Sequence, residues 1–189
     1  MRALVIAALG IVVGTTTLTG DEVRPSESVR LRPVEPIARK LVSEGLKRSA
    51  TIRHLADRLR ESDVIVYVDV RSDMPSQTVG SLRFVSPSAS HRFLRISFNR
   101  QYDRTTLIAL LGHELQHANE VADAKEVRSA EDLRRLYQRV GIRVGRDAYD
   151  SVEAQMTGRL VRAELRGGAT AVAEGRRVSL DSILLGAGF

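Results

Sequence analysis

The sequence predicts an α+β domain from the order in which its patterns occur. Two amphipathic helical patterns come first, three strand-like stretches follow, and the remaining patterns are helical. Strands that are grouped together and flanked by helices are typical of a small sheet packed against helices. We therefore expect a short three-stranded sheet with helices before and after it.

Two short helices and one strand are predicted in the first part of the domain. Apolar residues recur at helical spacing over 35–46, and Ser49 can cap a second helix that turns Leu55 and Leu59 inward. Residues 64–70 form a run of β-branched and aromatic residues with one aspartate. This composition predicts a strand.

A hairpin and three helices are predicted in the second part. Residues 81–86 and 92–99 alternate between apolar and polar and are joined by a short loop. This pattern predicts two antiparallel strands. Helical spacing then predicts a long helix over 105–124 and shorter helices over 131–140 and 147–166.

The ends of the chain differ from this central domain. Arg2 precedes a short apolar run and then small polar residues, which is the order of a secretory signal, so we expect residues 1–20 to be an export signal. A buried N-terminal strand is the alternative. Residues 21–34 are expected to be a linker, 35–166 the domain and 167–189 a loose tail. We expect no stable membrane span once the signal is removed.

Composition excludes several classes of function. The chain has 189 residues, 43% of them hydrophobic, which suffices for one domain with a core. It contains no cysteine, so disulfide scaffolds, thiol catalysis and cysteine-ligated metal sites are excluded. The net charge is +6, but the basic residues are dispersed among acidic ones and only 4% of residues are aromatic. This predicts a solvated arginine-rich surface and no nucleic-acid partner, with polyanion binding as the alternative.

The long helix carries the motif H-E-x-x-H. His113 and His117 are four residues apart, so both imidazoles leave one face of the helix and can bind one ion. Glu114 lies about 100° around the helix from His113, where it can accept a proton from bound water. We expect one zinc ion with Glu114 as the general base. The other histidines, His54 and His91, are not expected to be ligands.

A catalytic zinc site needs a third protein ligand and one open position. Asp123 lies six residues after His117, but no glycine turns the chain back before it, which disfavours Asp123. Glu120 lies three residues after His117, and an undistorted helix cannot easily wrap three ligands around one ion. We expect Glu120 to lie behind the ligands or in the substrate cleft.

The last helix offers better candidates for the third ligand. At 100° per residue, Asp150, Glu153 and Thr157 fall in the middle of the face that we expect to be buried, whereas Ser151 faces solvent. A buried carboxylate needs a partner, and an ion on the facing helix would supply it. Either Asp150 or Glu153 is therefore expected to bind the ion, with Thr157 beside the ligands or in the cleft.

These residues carry a family resemblance. The motif and the later carboxylate resemble the gluzincin branch of the zincin-like metalloproteases. More closely, the chain is similar to a family of secreted bacterial proteins with a metal-dependent peptidase fold. The similar stretches are SATIRHLADRLRESDVIVYVDV, SLRFVS, RFLRISF, LIALLGHELQHANEVADA and YDSVEAQMTGRLVRAEL. In that family the last stretch usually begins Phe-Glu-Thr, and its glutamate matches Asp150, so the resemblance ranks Asp150 ahead of Glu153.

The resemblance implies a minimal zincin-like domain and a metallopeptidase in the bacterial periplasm or outside the cell. Its substrate would be a peptide or protein, held by an edge strand beside the active-site helix, for which residues 92–99 are the candidate. Tyr137, Tyr149 and Arg143 are weak candidates for an oxyanion donor. A metal- or peptide-binding scaffold without appreciable catalysis is the alternative, and the sequence does not predict an oligomeric state.

Overall fold

The computed structural model describes residues 30–144 and 149–167 and confirms the α+β class. The predicted export signal at 1–20, and the predicted tail beyond Gly167, lie outside the described residues. In chain order the elements are β1 (Leu31–Pro33), α1 (Pro36–Arg48), α2 (Ala50–Arg60), β2 (Val64–Arg71), β3 (Gly80–Pro87), β4 (Arg92–Asn99), α3 (Arg104–Asp123), α4 (Ala130–Val140), β5 (Ile142–Arg143), β6 (Tyr149–Asp150) and α5 (residues 152–167). None of these helices is long and apolar enough to cross a membrane.

The main sheet has four strands in the order β1-β2-β4-β3, one more than predicted. β1 and β4 run parallel to β2, and β3 runs antiparallel to β4. The additional strand, Leu31–Pro33, falls within residues 21–34, so the linker prediction is wrong at that point. Three residues ending in proline are too few for an alternating pattern. The strand exists because Leu31 and its neighbours pair with β2, beginning opposite Val66.

The edge strand beside α3 is β3 and not β4. All of β4 pairs with β2, from Val64 opposite Arg92 to Arg71 opposite Asn99, and its other side pairs with β3. The prediction that residues 92–99 form the edge strand is therefore wrong. Position along the chain does not reveal this order, because β4 inserts between the two strands that precede it.

Helices α1, α2 and α3 cover one face of this sheet. Val66 and Leu94 of the sheet and Leu111 and Leu115 of α3 belong to one core and are each 0% exposed. Burial of side chains of this size contributes about 1.5–3 kcal/mol each. The predicted cap is confirmed, because the side chain of Ser49 accepts a hydrogen bond from the first turn of α2. The core therefore fixes α3 across the sheet.

Arg92 holds the C-terminal end of α3. Its side chain is 0% exposed, and its guanidinium pairs with Asp63 at 2.8 Å. The same guanidinium donates hydrogen bonds of 2.7–3.3 Å to the carbonyl oxygens of Val121, Ala122, Ala124 and Val127. The last carbonyls of a helix have no intrahelical partner, so a buried arginine satisfies them. The end of α3 is thus attached to β4.

Helix α5 packs on α3 at very short range. A Cβ atom at Gly112 would lie 2.6 Å from Cγ2 of Val161, so this crossing requires a residue without a side chain. One turn earlier on α5, a Cβ atom at Gly158 would lie 3.4 Å from Cβ of His113. The close approach brings the start of α5 to the histidines of α3.

Candidate metal centre

The H-E-x-x-H motif lies in the middle of α3. The side chain of Asp103 accepts a 3.0 Å hydrogen bond from the backbone N–H of Thr106 and caps the helix. The rings of His113 and His117 are one turn apart, with centroids separated by 4.8 Å and planes inclined by 81°. The two imidazoles are therefore close enough to bind the same ion.

Asp150 joins the two histidines from β6, which pairs with β5 in a short antiparallel ladder. Its Oδ1 lies 3.1 Å from Nε2 of His117 and 3.3 Å from Nε2 of His113. The three side chains offer ligand atoms that all lie within 4.8 Å of one another. Imidazole nitrogens and carboxylate oxygens are common metal ligands, so this group can hold a metal ion.

The other candidate ligands lie apart from this group. Glu153 is exposed on α5. Asp123 ends α3 with its side chain 70% exposed and pairs with Arg58 at 2.9 Å. Of the four carboxylates weighed as a third ligand, the structure brings Asp150 alone to both histidines.

The buried face of α5 differs from the predicted one. Ala154, Val161 and Leu165 are at most 2% exposed. The apolar residues of the opposite stripe, exposed by 47–58%, are Val152, Met156 and Leu160. The prediction that Glu153 and Thr157 lie in the middle of the buried face is therefore wrong by about a quarter turn. Thr157 is half-buried and is not among the described residues that line the cleft.

Glu120 lies behind His117. Its Oε2 is 2.9 Å from Nδ1 of His117 and accepts a 3.0 Å hydrogen bond from the hydroxyl of Tyr137. Its Oε1 accepts a 2.6 Å hydrogen bond from the hydroxyl of Ser151. A carboxylate that accepts the Nδ1 proton leaves Nε2 free to bind an ion. The structure thus places Glu120 behind one of the two histidines, which is the first of the two positions expected for it.

Two residues of this network do not follow from the sequence pattern. The prediction that Ser151 faces solvent is wrong, since it is 2% exposed and its hydroxyl accepts a 3.0 Å hydrogen bond from the N–H of Ala154. A serine just before an apolar helical pattern is an N-cap signal, and that signal could have located it. Tyr137, a candidate oxyanion donor, instead has its hydroxyl within hydrogen-bond distance of Glu120 and of the carbonyl of His117.

Burial raises the pKa of Glu114 to about 7. Glu114 is only 6% exposed, and removal from water disfavours the charged form of its carboxylate. The positive charge of His117 lowers this pKa and the negative charge of Asp150 raises it, both by less than burial does. Glu114 can therefore exchange a proton near neutral pH.

The pKa values of the two histidines are shifted in opposite directions. Burial lowers the pKa of His117, but hydrogen bonds to Asp150 and Glu120 outweigh it and raise this pKa to about 9. Burial and the charge of His117 lower the pKa of His113. Burial raises the pKa of Asp150, but the hydrogen bond with His117 and the charge of His113 outweigh this effect and lower it. The carboxylates around His117 thus favour a positive charge, which a proton or a metal ion can supply.

A cleft of about 490 Å³ opens beside these residues. One wall is the start of β3, where a Cβ atom at Gly80 would lie 3.2 Å from Oε1 of Glu114. The absence of a side chain lets the strand approach the carboxylate closely. Helix α4 forms another wall with Leu133, and Tyr149 also lines the cleft. Arg143 is exposed and is not among the described lining residues.

Comparison of the chain with protein-family models, with curated proteins and with solved structures gave no significant match. The family resemblance based on the motif therefore stays a prediction.

Proposed function

We propose that the protein is an exported zinc-dependent metallopeptidase in which His113, His117 and Asp150 bind one zinc ion. The spacing of the ligand atoms carries this proposal. Tetrahedral zinc with bonds of about 2.0–2.1 Å separates its ligand atoms by about 3.3 Å. Oδ1 of Asp150 lies 3.1 and 3.3 Å from the two Nε2 atoms, close to this separation, and all three ligand atoms lie within 4.8 Å of one another. Three protein ligands would also leave the open position that a catalytic site needs.

Glu114 is the proposed general base. Zinc, when bound, supplies Lewis acidity that lowers the pKa of water and polarises a carbonyl group. Burial raises the pKa of Glu114 in the metal-free protein, which makes its carboxylate a better proton acceptor that can return the proton to a leaving amine. It lies beside Gly80 at the wall of the cleft.

The exposed edge of β3 is the proposed peptide-binding element, in place of residues 92–99. Among the described strands β3 pairs with β4 alone, so its other edge has unpaired backbone groups. Gly80, Ser81 and Leu82 line the cleft, so an extended peptide added along this edge would pass the three ligands. Leu133 of α4 faces the same cleft and can contact a substrate side chain.

A metal-binding scaffold without turnover is the second candidate. The observation that favours it is the position of the Tyr137 hydroxyl, 3.0 Å from Glu120 and 3.3 Å from the carbonyl of His117. These hydrogen bonds direct Tyr137 away from the role of oxyanion donor. A scaffold has no need of a general base, so Glu114 distinguishes the two candidates.

The test is Glu114→Gln in the zinc-loaded full-length protein with a fluorogenic peptide library. General-base catalysis contributes about 10²–10⁴-fold, so we expect turnover to fall by that factor while zinc binding is retained. Glu61→Gln, which changes an exposed glutamate at the C-terminal end of α2, is the matched control and should leave turnover unchanged. Equal turnover in the wild type and Glu114→Gln, or no turnover in either, would contradict the proposed peptidase.

A further inference from the structure

A second groove, of about 590 Å³, lies on the exposed face of α1 at the N-terminal end of α3. Among the described residues, none lines both this groove and the metal cleft. We call it the basic groove. Its charged lining residues are Arg39, Lys40, Glu44, Lys47, Arg48 and Arg104.

The basic groove contains five cations and one carboxylate. Oε1 of Glu44 lies 2.8 Å from Nη1 of Arg48, and its Oε2 lies 3.2 Å from Nη1 of Arg104. Both oxygens of Glu44 are therefore used to hold two guanidinium groups in the groove wall. Arg39, Lys40 and Lys47 form no ion pair within residues 30–144 and 149–167. The groove thus has an excess of positive charge, part of it held in a fixed position.

Such an excess contrasts with the remainder of the arginine-rich surface. Elsewhere many arginines pair with a neighbouring carboxylate, as Arg71 does with Asp73 and Arg139 with Glu126. Lysine is rare in this chain, yet two of its three lysines, Lys40 and Lys47, lie in this groove. Several cations that converge on a concave surface attract an anion more strongly than the same charges dispersed over a convex one.

A small, partly apolar pocket of about 250 Å³, lined also by Arg100 and Tyr102, adjoins the basic groove and shares Arg104 with it. Ile37 and Leu41 of α1 and Leu107 of α3 supply its apolar walls. Ile37 is 36% exposed, so the pocket is accessible from solvent. A ligand with both an anionic and an apolar part could occupy the groove and this pocket together.

We propose that the basic groove binds a ligand whose head group is an oxyanion of the phosphate class. Such a head group offers several acceptor oxygens and more than one negative charge, which match the ammonium groups of Lys40 and Lys47 and the guanidiniums held by Glu44. The head group belongs either to a free anion or to an amphiphile whose chain enters the apolar pocket. Binding here is independent of the proposed zinc site.

Isothermal titration calorimetry of the full-length protein with two probes, inorganic phosphate and decyl phosphate, tests the proposal. We expect both probes to bind, and Lys40→Gln/Lys47→Gln to weaken binding by at least about tenfold, because two charge-assisted contacts are lost. Lys125→Gln is the matched control, since it removes the third lysine, which pairs with Asp63 away from the groove. If a zinc ion at the proposed metal site also bound phosphate, its contribution to the measured binding would be the same in all variants.

Tighter binding of decyl phosphate than of phosphate identifies an amphiphile, and equal affinity identifies a free anion; either result supports the groove. No binding of either probe, unchanged affinity in the double variant, or an equal loss in Lys125→Gln overturns it. Circular dichroism and zinc content should be unchanged in all variants, because the groove and the metal cleft share no described lining residue. Failure of the groove therefore leaves the proposed peptidase intact.

Discussion

The hydroxyl of Ser151 donates a 2.6 Å hydrogen bond to Oε1 of Glu120, a residue 31 positions earlier in the chain. The other oxygen of Glu120 lies against Nδ1 of His117. Ser151 directly follows Asp150 and caps α5. One half-buried carboxylate therefore positions both a proposed ligand on α3 and the residue next to the proposed ligand from β6.

Glu120→Ala should weaken zinc binding by about 10–100-fold, the usual effect of removing a carboxylate that orients a ligand histidine. Ser151→Ala should weaken zinc binding less, since His117 keeps its contact with Glu120. Competition with a chromophoric chelator measures both dissociation constants. Glu126→Ala, at a glutamate whose side chain is 62% exposed, should leave the constant unchanged. An unaltered constant in Glu120→Ala would show that this network does not position the ligands.

Asp150→Ala should remove the zinc ion, whereas Glu153→Ala should retain it. The reason is geometric, because Asp150 lies 3.1–3.3 Å from both imidazoles and Glu153 is exposed. Metal content of the purified proteins, measured by atomic emission, compares the two variants directly. Retention in Asp150→Ala together with loss in Glu153→Ala would assign the third ligand to Glu153 instead.

The metal-free protein should lose stability as the pH rises from about 5 to 9. The folded-state pKa of Glu114 is about 7 against an ordinary 4.5, so the cost of its buried charge grows above pH 4.5 and is complete above 7. The folded-state pKa of His117 is about 9 against 6.5, so its stabilising charge is fully present below pH 6.5 and is lost towards pH 9. These two effects have the same sign, because each of the two groups binds more protons in the folded state than in the unfolded state. The lowered pKa of His113 acts in the opposite direction below about pH 6.5.

Urea unfolding of the metal-free protein at several pH values measures this dependence. Glu114→Gln removes one of the two titrating groups and should flatten the profile between pH 5 and 7. A free energy of unfolding that does not fall across the range would contradict the assigned shifts.

Arg92→Met should destabilise the fold by about 3–5 kcal/mol, the usual cost of removing one partner of a buried ion pair. The substitution removes the donor to the carbonyls at the end of α3 and leaves Asp63 with Lys125 as its remaining partner. Arg58→Met is the control, since Arg58 forms an exposed pair with Asp123 and should cost less than about 1 kcal/mol. Equal midpoints of urea unfolding in the two variants would show that Arg92 does not anchor α3.

Gly112→Ala should destabilise the fold by about 1–3 kcal/mol, because its Cβ atom would lie 2.6 Å from Val161. Val161→Ala in the same chain should recover part of this loss, since it removes the methyl group that collides. Additive effects of the two substitutions, measured by thermal unfolding, would show that the two residues do not collide. Gly167→Ala, with nothing within 4 Å of its added Cβ atom, is the control.

The local sequence pattern was sufficient to predict the regular elements of the core. Residues 64–70 and 92–99 are the strands Val64–Arg71 and Arg92–Asn99, and the helix predicted over 105–124 is Arg104–Asp123. Long periodic segments bury one face, so the spacing of their apolar residues indicates which face is buried. β1 and β6 could not be found this way, because two or three residues become a strand only through their partner.

By itself the sequence determined how the two histidines and Glu114 are arranged, because residues at i, i+1 and i+4 have the same mutual arrangement in any α-helix. Asp150 and Glu153 are separated by three residues, and local geometry did not decide between them. That choice depends on where β6 ends, on the rotation of α5 and on its close contact with α3 at Gly112. Only the tertiary structure decides these, since each depends on contacts between residues that are distant in the chain.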